Sequence, residues 1–151
     1  MTKATDFTLK NTKLEDIKLS DYHGQHVLLL FFPLAFTSTC TKELCEIRDN
    51  IATYNNLNTT VLGISVDSPF TLAKFKEEQG INFDLLSDFN KEVSSNYGAL
   101  YEVFVHGLKG VSKRAAFVVD KNGDIQYEEI LDNAREIPNF VAINELLQKL
   151  S

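Results

Sequence analysis

The chain has 151 residues, with 15 Lys plus Arg against 21 Asp plus Glu and a formal net charge of −6. At 44% hydrophobic and 24% charged, with 7 Gly and 3 Pro, it has the makeup of one globular domain spanning 1–151. Such a chain buries a core without disulfides or metals, and disordered, collagen-like and low-complexity readings fail. The acidic balance lacks the basic footprint of a nucleic-acid binder and is repelled by anionic membrane surfaces.

Residues 1–7 mix Lys, Thr and Asp and carry no apolar signal core, so a cytoplasmic protein is expected. Phe7-Thr-Leu and Leu14-Glu-Asp-Ile-Lys-Leu then alternate apolar and polar residues around Asn11-Thr12, which predicts an N-terminal β-hairpin. Val27-Leu-Leu-Leu-Phe-Phe is the longest apolar run. It falls far short of the roughly 20 residues that span a bilayer and reads as a strand covered on both faces. Thr60 to Val66 is a second short strand. Between them Leu44, Ile47, Ile51 and Tyr54 recur at helical spacing, giving a βαβ unit with parallel strands and a right-handed crossover.

Ser68 as cap, Pro69 at the first position and Gly80 at the exit punctuate a further helix. A shorter one runs from near Lys91 to Tyr97 and ends at Gly98. Ala115–Val119 and Ile125–Ile130 flank Asn122-Gly123, a strong hairpin signal. Phe140, Ile143, Leu147 and Leu150 mark a C-terminal helix starting near Pro138. The order hairpin, βαβ, helices, hairpin, helix fits an α/β domain with a mixed central sheet flanked by helices, and a thioredoxin-like fold is the candidate.

Sites in open α/β sheets lie beyond the carboxyl ends of the strands. The chain leaves its longest apolar strand as Pro33-Leu-Ala-Phe-Thr-Ser-Thr-Cys40-Thr-Lys-Glu-Leu-Cys45, which puts Cys40 near the start of the next helix. Unpaired N–H groups and the positive end of the dipole favour an anion there, and such a setting lowers a thiol from its ordinary 8.5 into a range of about 3.5–7.5. Two cysteines in a cytoplasmic chain point to catalysis or metal binding rather than a permanent staple. A plain core role stands beside that reading, because free cysteine is among the most buried residue types. Thr37, Ser38, Thr39 and Thr41 either cap the helix or offer a hydroxyl to the thiolate or an incoming oxygen.

Two motifs carry a family resemblance. Pro33-x-x-x-Thr37-x-x-Cys40 matches the peroxiredoxin active-site pattern, and Lys113-Arg114-Ala-Ala-Phe-Val-Val-Asp120 resembles that family's arginine-bearing strand. Cys45 resembles the peroxiredoxin Q (bacterioferritin comigratory protein) group. Pro33-Leu-Ala-Phe-Thr and Leu85-Leu-Ser-Asp88 look more like the alkyl hydroperoxide reductase E group. The resemblance implies a thiol-dependent peroxidase for hydrogen peroxide and organic hydroperoxides, acting without metal, haem or flavin. Cys40 would be the peroxidatic nucleophile. Thr37 would orient thiolate and peroxide, Arg114 would stabilise the anionic charge, Pro33 would shield the pocket, and Glu43 would help position the arginine. Cys45 would resolve the sulfenic acid as a disulfide, reduced in turn by a thioredoxin-like partner, in a monomer or homodimer.

On an ideal helix, residues five apart have Cα atoms roughly 8–9 Å apart, beyond the roughly 7 Å a disulfide tolerates. A Cys40–Cys45 bond therefore requires the first helical turn to unwind. Without the motif, Arg114 reads as a solvated strand-edge residue. His23-Gly-Gln-His26 with the two cysteines makes an undefined metal set, and two loop histidines are the simpler reading. Asp120-Lys-Asn-Gly-Asp124 reads as a hairpin turn rather than a calcium loop, and Asp67-Ser68, just after a strand, could touch substrate but reads better as helix capping. The rival functions are a thiol–disulfide oxidoreductase, which would show Cys-x-x-Cys rather than Cys-x4-Cys, and a non-catalytic thioredoxin-like interaction module.

Overall fold

A computed structural model describes residues 2–150. The strands β1 (Thr2–Lys3), β2 (Thr8–Asn11) and β3 (Asp16–Lys18) precede β4 (His26–Phe31). Then follow α1 (Ser38–Asp49), α2 (Ile51–Asn56), β5 (Thr59–Ser65), α3 (Pro69–Gln79), β6 (Asp84–Ser87) and α4 (Glu92–Asn96). The chain closes with β7 (Arg114–Val119), β8 (Asp124–Leu131) and α5 (Phe140–Leu150). The strands form one sheet in the order β1-β8-β7-β4-β5-β6-β2-β3. β4, β5 and β6 run parallel, and the other pairings are antiparallel.

β4 is the continuous apolar run, and its six residues are all buried because alternate side chains serve opposite faces. Leu28, Leu30 and Phe32 share a core with Leu44 and Ile47 of α1, Leu72 and Phe75 of α3, and Ile143 and Leu147 of α5. On the other face Val27, Leu29 and Phe31 pack with Leu19, Val93 and Tyr97. There the Phe31 ring lies 5.5 Å from Tyr97 and 5.6 Å from Phe117. Each such fully buried side chain stabilises the fold by about 1.5–3 kcal/mol.

The register of this sheet positions the chemistry. Phe31 at the carboxyl end of β4 pairs with Ala115 of antiparallel β7. Arg114, one residue earlier on β7, therefore lies beside the point where the chain turns out of β4 toward α1.

The N-terminal hairpin forms as expected from β2 and β3. The α3 punctuation also holds: Ser68 Oγ accepts from Thr71 N at 3.1 Å, and Gly80 is left-handed at φ 61°. Asp120 Oδ1 accepts from the backbone N–H of Asn122 at 2.9 Å and of Asp124 at 3.0 Å, which makes that acidic run a hairpin turn. One expectation needs correction. The helix read from Leu44 to Tyr54 is two helices, interrupted at Asn50 (φ −115°, ψ 16°). Asn50 Nδ2 donates to Glu46 O at 2.8 Å, a side-chain bond to the backbone of the kind that competes with helix continuation. Strands β1 and β6 carry no signal in the sequence, because two and four residues are too few to show a period. Among the described residues no helix is long and apolar enough to cross a membrane.

Candidate active site

The site is built where β4 ends. Phe32 N makes a last ladder-like bond to Ile64 O at 2.9 Å, and buried Pro33 follows with no N–H to extend the pairing. The loop then passes through Phe36 at φ 67°. That left-handed conformation costs a bulky residue about 1–3 kcal/mol. The Phe36 ring meets Phe75 of α3 edge-on, with centroids 5.2 Å apart. Thr37 occupies the N-cap position of α1 in extended backbone, but its side chain does not cap. Its hydroxyl donates instead to Leu34 O at 2.7 Å. The hydrogen is thus committed to the loop, and the oxygen keeps its lone pairs for an incoming donor. Thr41 closes the turn, its N and Oγ1 both donating to Thr37 O, at 2.9 and 2.8 Å.

Cys40 stands in the first turn of α1 and is 1% exposed. Arg114 Nη2 donates to its sulfur at 3.1 Å, and Arg114 Nη1 donates to Glu43 Oε1 at 2.7 Å. The guanidinium is held in place by Ala134 O, which accepts from Nε at 3.1 Å and Nη2 at 2.9 Å. Arg114 is 1% exposed and Glu43 is fully buried, so Arg114 is not the solvated strand-edge residue that its position alone allowed. Cys40 and Glu43 are three apart on α1, which puts both on one helix face toward the same cation.

The electrostatics follow from two acids sharing one base in a dry site. Burial pushes the Glu43 carboxyl up to about 7, against the opposing pull of Arg114. Burial works against charge on Arg114, but Glu43 and Cys40 outweigh it and hold the guanidinium protonated. Glu43 Oε2 is buried without a hydrogen-bond partner, as suits a carboxyl whose protonated form is accessible near neutral pH.

Cys45 lies on another face of the unbroken helix α1, half-buried against the core. Its Sγ is 3.6 Å from Gln79 Oε1, and Arg48 donates to the Gln79 carbonyl. Both cysteines are free. The structure therefore brings together Cys40, Arg114 and Glu43, with Thr37 and Pro33 on the adjoining loop, and leaves Cys45 apart. His23 and His26 lie at the opposite end of β4 from Cys40, so the set of two histidines and two cysteines is not assembled.

One contributor leaves no trace in the sequence, and another acts otherwise than as the expected cap. The Ala134 carbonyl is a backbone group in a loop and leaves no residue-type signal. Asp67, read as part of a helix cap, accepts from Ala35 N at 2.8 Å through Oδ2, while Ser68 alone caps α3. Its place just past a parallel strand was the available signal.

Comparison with known proteins converges on one family. The AhpC/TSA family model matches residues 1–128. The chain is 39% identical over 130 residues to alkyl hydroperoxide reductase E of Mycobacterium tuberculosis, covering 84% of this chain and 82% of that protein. It is 36% identical over 126 residues to peroxiredoxin Bcp of Escherichia coli, covering 82% and 80%. The crystal structure of peroxidoxin BcpB from Mycobacterium tuberculosis superposes with a TM-score of 0.87 at 26% identity, covering 99% of this chain and 96% of that one. The mixed sheet with its flanking helices is accordingly a thioredoxin-like fold, and the chain belongs to the AhpC/TSA family, among the peroxiredoxins.

Proposed function

We propose that Cys40 is the nucleophile of a thiol-dependent peroxidase, with Arg114, Thr37, Glu43 and Pro33 as its immediate supports. Membership of the peroxiredoxins makes the chain an oxidoreductase acting on peroxides, and one observation carries the residue assignment: a buried guanidinium donates to the Cys40 sulfur at 3.1 Å. A cation fixed beside the sulfur stabilises negative charge there and on the oxygen that departs. Arginine suits this role because it stays charged and directs several donors at once.

In the first step the Cys40 thiolate attacks the terminal oxygen of R–O–OH. A sulfur–oxygen bond forms, the O–O bond breaks, and R–O⁻ leaves and takes a proton from water to become the alcohol. The Thr37 oxygen, its own hydrogen given to Leu34 O, is oriented to accept the peroxide O–H. Pro33 adds buried apolar surface that limits water. The sulfur is left as a sulfenic acid, which condenses with a second thiol. We assign that thiol to Cys45, whose attack expels water and leaves a disulfide. A dithiol reductant of the thioredoxin type then restores both thiols by exchange through a mixed disulfide.

The test is stopped-flow oxidation of the reduced protein by hydrogen peroxide and by a bulkier organic hydroperoxide. Cys40→Ser should abolish the reaction while Cys45→Ser leaves the first step intact. Equal rates in wild type and Cys40→Ser would remove the assignment.

A further inference from the structure

We propose that Asp67 is a positioning residue for the peroxide reaction, its carboxylate clamping the loop that carries Thr37 and Cys40, on the reading that Cys40 is the nucleophile. Asp67 lies just past β5 and makes no bond to Cys40 or Arg114. Its Oδ2 accepts from Ala35 N at 2.8 Å and from Ser65 Oγ at 2.7 Å. Hydrogen bonds to an ionised acceptor are roughly twice as strong as neutral ones.

The backbone of Asp67 is itself held from the sheet. Asp67 N donates to Ser65 Oγ at 3.2 Å, and Ser87 Oγ donates to Asp67 O at 2.6 Å. Asp88 N donates to Ser65 O at 2.7 Å, tying the ends of β5 and β6 together. Ser65 is fully buried and Ser87 is 7% exposed. Two buried hydroxyls at the ends of β5 and β6 thus brace Asp67, Ser65 at its carboxylate and Ser87 at its backbone carbonyl, and the carboxylate reaches one amide of the loop.

The clamped residue explains why. Ala35 immediately precedes Phe36, which sits at φ 67° and is 49% exposed. A bulky side chain stays left-handed only where its surroundings over-determine it. An aromatic edge contact with Phe75 on an exposed ring is a weak constraint, whereas a charged bond on the preceding amide is a strong one. Released, Phe36 relaxes to negative φ and turns Thr37 and the first turn of α1 away from Arg114. That same turn must open before the sulfurs of Cys40 and Cys45 can meet. Asp67 therefore pulls two steps in opposite directions, favouring attack on peroxide and resisting formation of the disulfide.

The experiment uses full-length Asp67→Ala and Asp67→Asn, with stopped-flow oxidation by hydrogen peroxide and quenched mass spectrometry of the disulfide step. Asp67→Ala should slow Cys40 oxidation by about 10- to 100-fold, the scale of a misplaced reacting group, while disulfide formation is unchanged or faster. Asp67→Asn keeps an oxygen acceptor and should lose no more than about fivefold. Hydrogen exchange of the reduced protein should accelerate at the amides of 35–41 and stay unchanged in β4 and β5. Should Asp67→Ala not fold, Asp67→Asn and Ser65→Ala carry the test with smaller losses of the same sign. Wild-type oxidation rates with unchanged exchange at 35–41 would overturn the clamp, and so would equal slowing of both steps with exchange raised throughout. Failure of Cys40 to oxidise in wild type would instead count against the peroxidase reading, and hydrogen exchange alone would then decide whether Asp67 holds the loop.

Discussion

Arg114 Nη2 stands 3.1 Å from Cys40 Sγ across 74 residues of sequence, because β7 runs antiparallel to β4 and begins where β4 ends. The same guanidinium is tied to Glu43 and Ala134, so its aim is fixed before any peroxide arrives. Arg114→Ala is expected to slow Cys40 oxidation by about 100- to 1000-fold, the usual effect of deleting a preorganised donor to developing charge. Arg114→Lys should recover little of this, since an ammonium is a compact point charge without the planar fork that serves three partners. Stopped-flow rates settle it, and a lysine variant as fast as wild type would show that charge without geometry suffices.

Glu43 supplies a pH signature in stability. Its carboxyl ordinarily titrates near 4.5 and is lifted to about 7 by burial, with Arg114 opposing. The folded state therefore binds more protons than the unfolded state between those two values. The stabilising contribution is complete below about 4.5 and is lost as pH rises through about 7. Glu43→Gln fixes the neutral form and removes the effect. The unfolding free energy of wild type relative to Glu43→Gln should fall by up to about 3 kcal/mol between pH 4.5 and pH 8. Urea unfolding at both pH values measures this. A difference that stays flat across the range would mean Glu43 keeps an ordinary carboxyl.

What the sequence made legible, it did through local chemistry. The unbroken apolar run at 27–32 is what a doubly covered strand shows, and Ser68, Pro69 and Gly80 marked the two ends of α3. The Cys40–Arg114 pair was reachable only through the resemblance of Pro33-x-x-x-Thr37-x-x-Cys40 and Lys113-Arg114 to a peroxiredoxin site, since position alone makes Arg114 a solvated strand-edge residue. Contributions made by backbone geometry were not legible. The Ala134 carbonyl has no residue-type signature, and Asp67 reaches Ala35 across 32 residues from a position that reads equally well as a cap. Thr37 reads as a cap or as a hydroxyl offered to the thiolate or an incoming oxygen; its hydrogen goes to Leu34 O at 2.7 Å instead of capping, a loop contact that residue types alone do not show.

The separation of the two sulfurs makes resolution a conformational event. Helix α1 is continuous from Ser38 to Asp49, and ideal helical geometry keeps Cα atoms five apart at roughly 8–9 Å. Peroxide-treated wild type should therefore lose helical circular dichroism in step with the appearance of an internal disulfide by mass spectrometry. Cys45→Ser should keep its helical signal and accumulate sulfenic and then sulfinic acid at Cys40. An internal disulfide that forms with no loss of helix would refute unwinding. Its absence from wild type would leave a one-cysteine cycle.

Ser68 and Asp67 are adjacent in sequence and face different tasks, which allows one to serve as a control for the other. Ser68 Oγ accepts from Thr71 N at 3.1 Å and so satisfies an orphan donor at the start of α3, while Asp67 turns back toward Ala35. Loss of such a cap costs about 1 kcal/mol of stability. Ser68→Ala is expected to lower the urea midpoint by the corresponding amount with an unchanged m-value, and to oxidise at Cys40 within about twofold of wild type, because a surface cap away from the site shifts local energies only slightly. A Ser68→Ala variant as slow toward peroxide as Asp67→Ala would show that the catalytic loop responds to any loosening of α3 rather than to the carboxylate that grips it.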